Sequence, residues 1–162
     1  MKSSLHNCDR KLLTALGKDA KVSSERRTME NKPFKIAPYP IHLGIEIMER
    51  GEGFARLRLP YRKELTNPVG KLHGGAIASV ADTAMAVAIG SFVGIPGGHS
   101  TVKLEIKYKA PVMDGEVIAE ARVTRRKGKL FLAEAVVTNG NGKIVATAAG
   151  TFMITHPDAK PG

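Results

Sequence analysis

The chain has 162 residues, 43% of them hydrophobic, with a single Cys and no Trp. That length fits one globular domain with a real core, and the lone Cys8 excludes an internal disulfide framework or a cysteine-built metal site. The formal net charge of +10 favours an anionic partner, either nucleic acid or a phosphorylated small molecule.

Residues 1–32 differ from the rest. They carry eight Lys/Arg against four Asp/Glu, and Leu5, Leu12, Leu13 and Leu16 give at most a short helix. A flexible basic N-terminal tail is expected there, with Met29 as an alternative start. Lys11, Lys18 and Asp19 interrupt the leucines, so no continuous signal-peptide core is present and a cytoplasmic protein is expected. The three Tyr and five Phe are not interleaved with basic clusters, and no nucleic-acid motif is found, so no nucleic-acid partner is expected.

The domain is expected over 33–156, followed by a disordered end at 157–162. Pro38-Tyr39-Pro40 is read as blocking helix and introducing the domain, with a turn and an edge strand over Ile41 to Met48. Phe54 to Leu59 reads as a strand closed by Pro60. A polar loop from Arg62 to Lys71 contains Asn67-Pro68 and Gly70. The segment Gly74–Phe92 is apolar around most of a helical circumference, which predicts a helix enclosed by protein on nearly every side. It is a poor membrane span, since Ser79, Asp82, Thr83 and several glycines interrupt it, and no membrane association is expected.

The second half reads as strands. Thr101 to Lys109 alternates strictly, with Val102, Leu104, Ile106 and Tyr108 on one face. Pro111 and Asp114-Gly115 form a turn into Glu116–Arg126, and Lys127-Gly128-Lys129 turns that strand into Leu130–Thr138. Asn139-Gly140-Asn141-Gly142 is a strong hairpin signal before Lys143–Thr155. These four consecutive strands are expected to form a meander. The α+β layout is an antiparallel sheet wrapped around one long helix, because a helix apolar all round needs a curved sheet to enclose it.

Asp82 is the only Asp, Glu, Lys or Arg between Lys71 and Lys103. A carboxylate in so apolar a segment costs on the order of several kcal/mol unless it is paired or hydrogen-bonded, and perturbed carboxylates cluster at functional sites. The bland alternative is that it caps a turn or faces a subunit boundary.

The stretch Asn67-Pro68-Val69-Gly70-Lys71-Leu72-His73-Gly74-Gly75, followed by Asp82 and then Ser100, resembles the hot-dog-fold acyl-CoA thioesterases of the phenylacetate-pathway (PaaI-like) group over roughly residues 38–155. The resemblance implies a hydrolase acting on the thioester of an aromatic or medium-chain acyl-CoA. It implies that Asp82 is general base or nucleophile, that Asn67 orients thioester or water, and that the Gly74 N–H polarises the carbonyl. Ser100 would help position water, with Thr101 as second candidate. It further implies a homodimer or homotetramer whose sites lie between subunits. Coenzyme A enters as part of the substrate, and no separate cofactor or metal is implied.

The chemistry suits these residues. A helix N-terminus offers unpaired N–H groups and a positive dipole end to a developing oxyanion. Glycines at 74 and 75 let a carbonyl approach, although they also permit close packing. Asp82 lies eight residues beyond Gly74, about 12 Å along a helix, so a site using both draws them from two chains or needs a long reach. His73 adjoins the substrate-facing helix start and is read as orienting loop and helix. Ser79 and Thr83 are read as bonding back to the preceding turn. Arg125, Arg126 and Lys127 form a basic turn, usually a solvated feature, that is expected to hold the phosphates of coenzyme A. A hydratase or dehydratase using His73 with Asp82, or a non-catalytic acyl-CoA-binding protein, are the alternatives.

Overall fold

The computed structural model describes residues 36–94 and 98–155. The expected tail at 1–32, the domain start at Pro33 and the chain end at 157–162 lie outside the described residues. The elements in chain order are α1 (Pro38–Leu43), β1 (Glu46–Gly51), β2 (Phe54–Pro60), a short 3-10 turn (Lys63–Leu65), α2 (Gly74–Val93), β3 (His99–Tyr108), β4 (Glu116–Lys127), β5 (Leu130–Asn139) and β6 (Ile144–Ile154).

Pro38-Tyr39-Pro40 opens a helix instead of blocking one. Both prolines fall in the first turn of α1, where their missing N–H groups have no intrahelical acceptor to lose and the fixed φ suits a helix start. Gly44, at φ 78°, ends the helix, and the chain passes into edge strand β1.

All strand pairs are antiparallel, in the order β1-β2-β4-β5-β6-β3. Strands β4, β5 and β6 form a meander as expected, but β3 does not join it at β4. It pairs with β6 at the far edge, and residues 109–115 carry the chain back past the ends of β6 and β5 to the start of β4, beside β2. Three strand spacings amount to about 14 Å, within reach of seven extended residues. Pro111 and Asp114-Gly115 therefore belong to a crossover, which Lys109, Val112 and Gly115 tie down by backbone bonds to Val145, Leu72 and Tyr61.

Helix α2 lies on the inner face of this sheet. Leu57, Ala119, Val137, Ala146 and Tyr108 stand opposite one another across five strands, and Ala55, Ala121, Ala135, Ala148 and Ile106 form the next row. The alanines beneath the helix allow close approach. At Gly150 a Cβ would stand 2.6 Å from the Phe152 ring and 3.1 Å from Met85 Cε, so glycine is needed where helix and sheet meet. Ala81, Ala84, Met85, Ala88 and Ile89 are fully enclosed. The helix is long and apolar enough to cross a bilayer, but 67% of that window is buried inside the fold. Its burial is not uniform: Ala78, Ser79, Asp82, Thr83 and Ala86 are only half-buried. At i, i+3, i+4 spacing they form one incompletely covered stripe.

The alternation of β3 is broken by a bulge between Thr101 and Lys103. His99 and Thr101 therefore share the helix-side face with Leu104, Ile106 and Tyr108, opposite Ile154, Phe152, Gly150, Ala148 and Ala146. Val102 falls in the bulge and is 61% exposed.

Candidate active site

The stripe on α2 forms one wall of a cavity of about 610 Å³. The start of β3 supplies the facing wall through His99 and Leu104, and residues 36–40 close one side. Tyr39 reaches the helix there, its hydroxyl 3.0 Å from Ser79 Oγ.

Asp82 stands in this wall. Thr101 Oγ1 donates to its Oδ1 at 3.1 Å and its Oδ2 at 3.3 Å. Burial pushes the carboxyl above its ordinary range, and the Thr101 hydrogen bond opposes part of that shift. A carboxylate held this way is a stronger base than an exposed one while still presenting an oxygen to the cavity. The hydroxyl that β3 brings to Asp82 is that of Thr101 rather than Ser100. Ser100 lies opposite Met153 on the other face of the sheet, because successive strand residues point to opposite sides.

The N-terminus of α2 is built by His73, Gly74 and Gly75. His73 is the N-cap, and its Nδ1 accepts from the Gly75 N–H at 2.9 Å. Its carbonyl takes the N–H groups of Ala76 and Ile77. Among the described residues the Gly74 N–H has no partner, leaving a donor at the positive end of the helix dipole. Tyr108 reaches over from β3 and donates to the Gly74 carbonyl at 2.8 Å. A side chain at Gly74 would press on that tyrosine, at 3.2 Å from its hydroxyl. Ser79 and Thr83 donate back to the carbonyls of Gly75 and Ser79, as expected of hydroxyls inside a helix.

Asn67 organises the loop that leads into α2. Its Oδ1 accepts from the N–H groups of Val69 at 3.1 Å and Lys71 at 3.0 Å, which leaves the amide NH₂ as the group able to orient a ligand. The basic turn between β4 and β5 is partly committed to its own structure. Arg126 donates to the Gly128 carbonyl and lies over the Phe131 ring at 5.3 Å, while Arg125 and Lys127 are exposed.

His99 was not singled out in the sequence. It lines the same cavity as Asp82 and packs edge-on against Phe152. Its Nδ1 is buried without a hydrogen-bond partner, and burial holds the imidazole below its ordinary range. The available signal was its i, i+2 relation to Thr101 at the strand start. Among the described residues, no three His, Cys, Asp or Glu side chains gather into a metal-binding group.

A six-stranded antiparallel sheet wrapped on one long helix is the hot-dog fold. Residues 69–146 match the model of the thioesterase superfamily. Two archaeal proteins provisionally named esterases are similar in sequence. The one from Halobacterium salinarum is 33% identical, with 72% of this chain and 83% of the relative covered. The one from Archaeoglobus fulgidus is 31% identical, with 74% and 76% covered. A conserved protein of Pseudomonas aeruginosa superposes with a TM-score of 0.70 at 36% identity, covering 73% of this chain and 94% of that one. The PaaI protein of the E. coli phenylacetic acid degradation operon superposes with a TM-score of 0.68 at 26% identity, covering 73% and 84%. The chain belongs to the thioesterase superfamily, and its resemblance to the PaaI-like proteins extends to the fold.

Proposed function

We propose that the protein hydrolyses the thioester of an aromatic or medium-chain acyl-CoA. The observation that carries this reading is the half-buried Asp82 in the wall of an otherwise largely apolar cavity, with Thr101 bonded to it. In this reading the acyl group occupies the cavity. Asp82 takes a proton from an attacking water, or attacks the carbonyl itself, and the negative charge developing on the carbonyl oxygen is met by the N–H of Gly74. Asn67 orients the carbonyl or the water through its free NH₂. The exposed cations at Arg125 and Lys127 meet the phosphates of coenzyme A, which enters only as part of the substrate.

Gly74 and Asp82 are about 12 Å apart along one helix, so the donor and the base are proposed to come from two copies of the chain. Edge strand β3 supports this. Leu104 and Tyr108 remain 36% and 52% exposed, and a second β3 pairing there would cover an apolar row and satisfy the open edge. A homodimer, or two such dimers in a tetramer, is thus the proposed working form.

His73 weighs against a hydratase or dehydratase built on His73 and Asp82. Its Nδ1 lone pair is occupied by the Gly75 N–H, as a helix cap requires. Incubation of the purified protein with a panel of acyl-CoAs and a thiol-trapping reagent tests the proposal. Release of free thiol is expected with at least one aromatic or medium-chain ester. Binding of acyl-CoA with no thiol released from any ester would refute hydrolysis.

A further inference from the structure

The lining of the cavity is unequal in its polar groups. Ser79 donates to the Gly75 carbonyl, Thr83 donates to the Ser79 carbonyl, and Asp82 accepts from Thr101 behind the wall. Tyr39 is engaged with Ser79. The rest of the lining is mainly aliphatic, including Ala78, Ala86, Val87 and Leu104. His99 is the exception. The residue lines the cavity and its Nδ1 is enclosed without a partner, so Nε2 is the ring nitrogen left to meet a bound ligand.

Which nitrogen carries the proton follows from the cost of burial. An orphaned N–H is the rarer and costlier case, while an unmatched lone pair is better tolerated. The neutral ring therefore keeps Nδ1 bare and places its hydrogen on Nε2. Burial, which holds this imidazole below its ordinary range, supports a neutral ring. His99 thus contributes an uncommitted N–H donor and no positive charge.

Its distance from the reacting centre follows from the strand. His99 and Thr101 are two residues apart on the same face of β3, a separation of about 7 Å along the strand. Thr101 marks the position of Asp82. An extended chain starting at a carbonyl beside Asp82 covers that separation in roughly five bonds.

We propose that His99 is a specificity-determining residue, and that the cavity selects acyl groups carrying an uncharged hydrogen-bond acceptor, such as a keto oxygen, about five bonds from the thioester carbonyl. The Nε2–H donates to that oxygen, and a purely aliphatic chain leaves the donor unmatched. The location of the thioester end rests on the hydrolase reading of Asp82.

The test is calorimetric binding of two non-hydrolysable thioether analogues, those of 5-oxohexanoyl-CoA and hexanoyl-CoA, to the full-length protein. The parent should bind the oxo analogue about tenfold more tightly, the worth of one hydrogen bond. His99→Phe keeps a ring against Phe152 but has no donor, and should bring the ratio to about one. His99→Gln retains an N–H and should keep most of the preference. Equal affinities in the parent, or a preference that survives in His99→Phe, would overturn the proposal. Turnover of the two parent esters separates this result from the function itself. A keto preference in binding, with no turnover of either ester or of any other ester in the panel, sinks the hydrolase reading and leaves the role of His99 standing. Equal binding with normal turnover does the reverse.

Discussion

Thr101 Oγ1 donates to both carboxylate oxygens of Asp82, at 3.1 and 3.3 Å, and so joins edge strand β3 to the one ionisable side chain of the central helix. This contact sets two opposing influences on the carboxyl. Burial raises its pKa, and the hydroxyl lowers it by favouring the charged form.

Removing the hydroxyl should therefore move the pH profile in a known direction. In Thr101→Val only the desolvation remains, the pKa of Asp82 rises further, and the acid limb of kcat shifts to higher pH. A loss of about tenfold in kcat at neutral pH is expected, the worth of one hydrogen bond, with Thr101→Ser close to the parent. Ser100→Ala, on the opposite face of the sheet, should change kcat by less than about twofold, within the small effect usual for a surface site. A kcat–pH profile for each variant checks this, and an unshifted acid limb in Thr101→Val would contradict it.

The start of α2 should behave as one unit. His73→Ala removes the cap, and Gly75→Ala puts a Cβ 2.9 Å from His73 Nδ1. Each should cost about 1 kcal/mol. The double variant should lose no more than the larger single loss, because both break the same bond. Urea unfolding of the four proteins measures this, and additive losses would show that His73 and Gly75 act separately.

Edge strand β3 should carry the subunit contact. Leu104→Lys and Tyr108→Lys place charge on its half-exposed apolar row, where pairing with a second copy would bury it. Sedimentation should show a monomer with activity down by at least about 100-fold, the scale of losing a catalytic partner. A fully active monomer would remove the shared site.

Within the basic turn, the three cations should separate by role. Arg125→Ala with Lys127→Ala should raise KM for CoA esters about tenfold and leave a pantetheine thioester unaffected, since that substrate lacks the nucleotide phosphates. Arg126 lies over Phe131 and bonds Gly128, so Arg126→Ala should lower the melting temperature more than it alters KM. Equal losses with both substrates would exclude the turn from binding.

The architecture was largely legible because the signals were local. Alternation marked the strands, the charge-free run Leu72–Ala81 led into the central helix, and Asn139-Gly140-Asn141-Gly142 marked the last hairpin. The neighbour of β3 was not legible. Its pairing with β6 is a long-range choice, and Asp114-Gly115 looks the same in a crossover as in a hairpin. The contest between Ser100 and Thr101 was decided by strand phase, and the bulge after Thr101 that keeps Leu104 on the same face leaves no mark in the alternation. Asp82 stood out because one charge in an apolar segment is visible by itself. His99 did not, because a histidine after two glycines acquires meaning only when Phe152 and the cavity surround it.

The most direct test of the central claim is kcat for Asp82→Asn on the best acyl-CoA substrate. Burial raises the pKa of Asp82, so the ionised form opposes folding above that pKa and the penalty disappears as pH falls below the ordinary carboxylate range. The Asn variant should thus melt no lower than the parent at neutral pH, and loss of fold will not explain loss of rate. With assembly and acyl-CoA binding retained, kcat should fall by about 100-fold to 10,000-fold, the usual contribution of a general base or nucleophile. Hydrolysis at close to the parent rate would contradict the role given to Asp82.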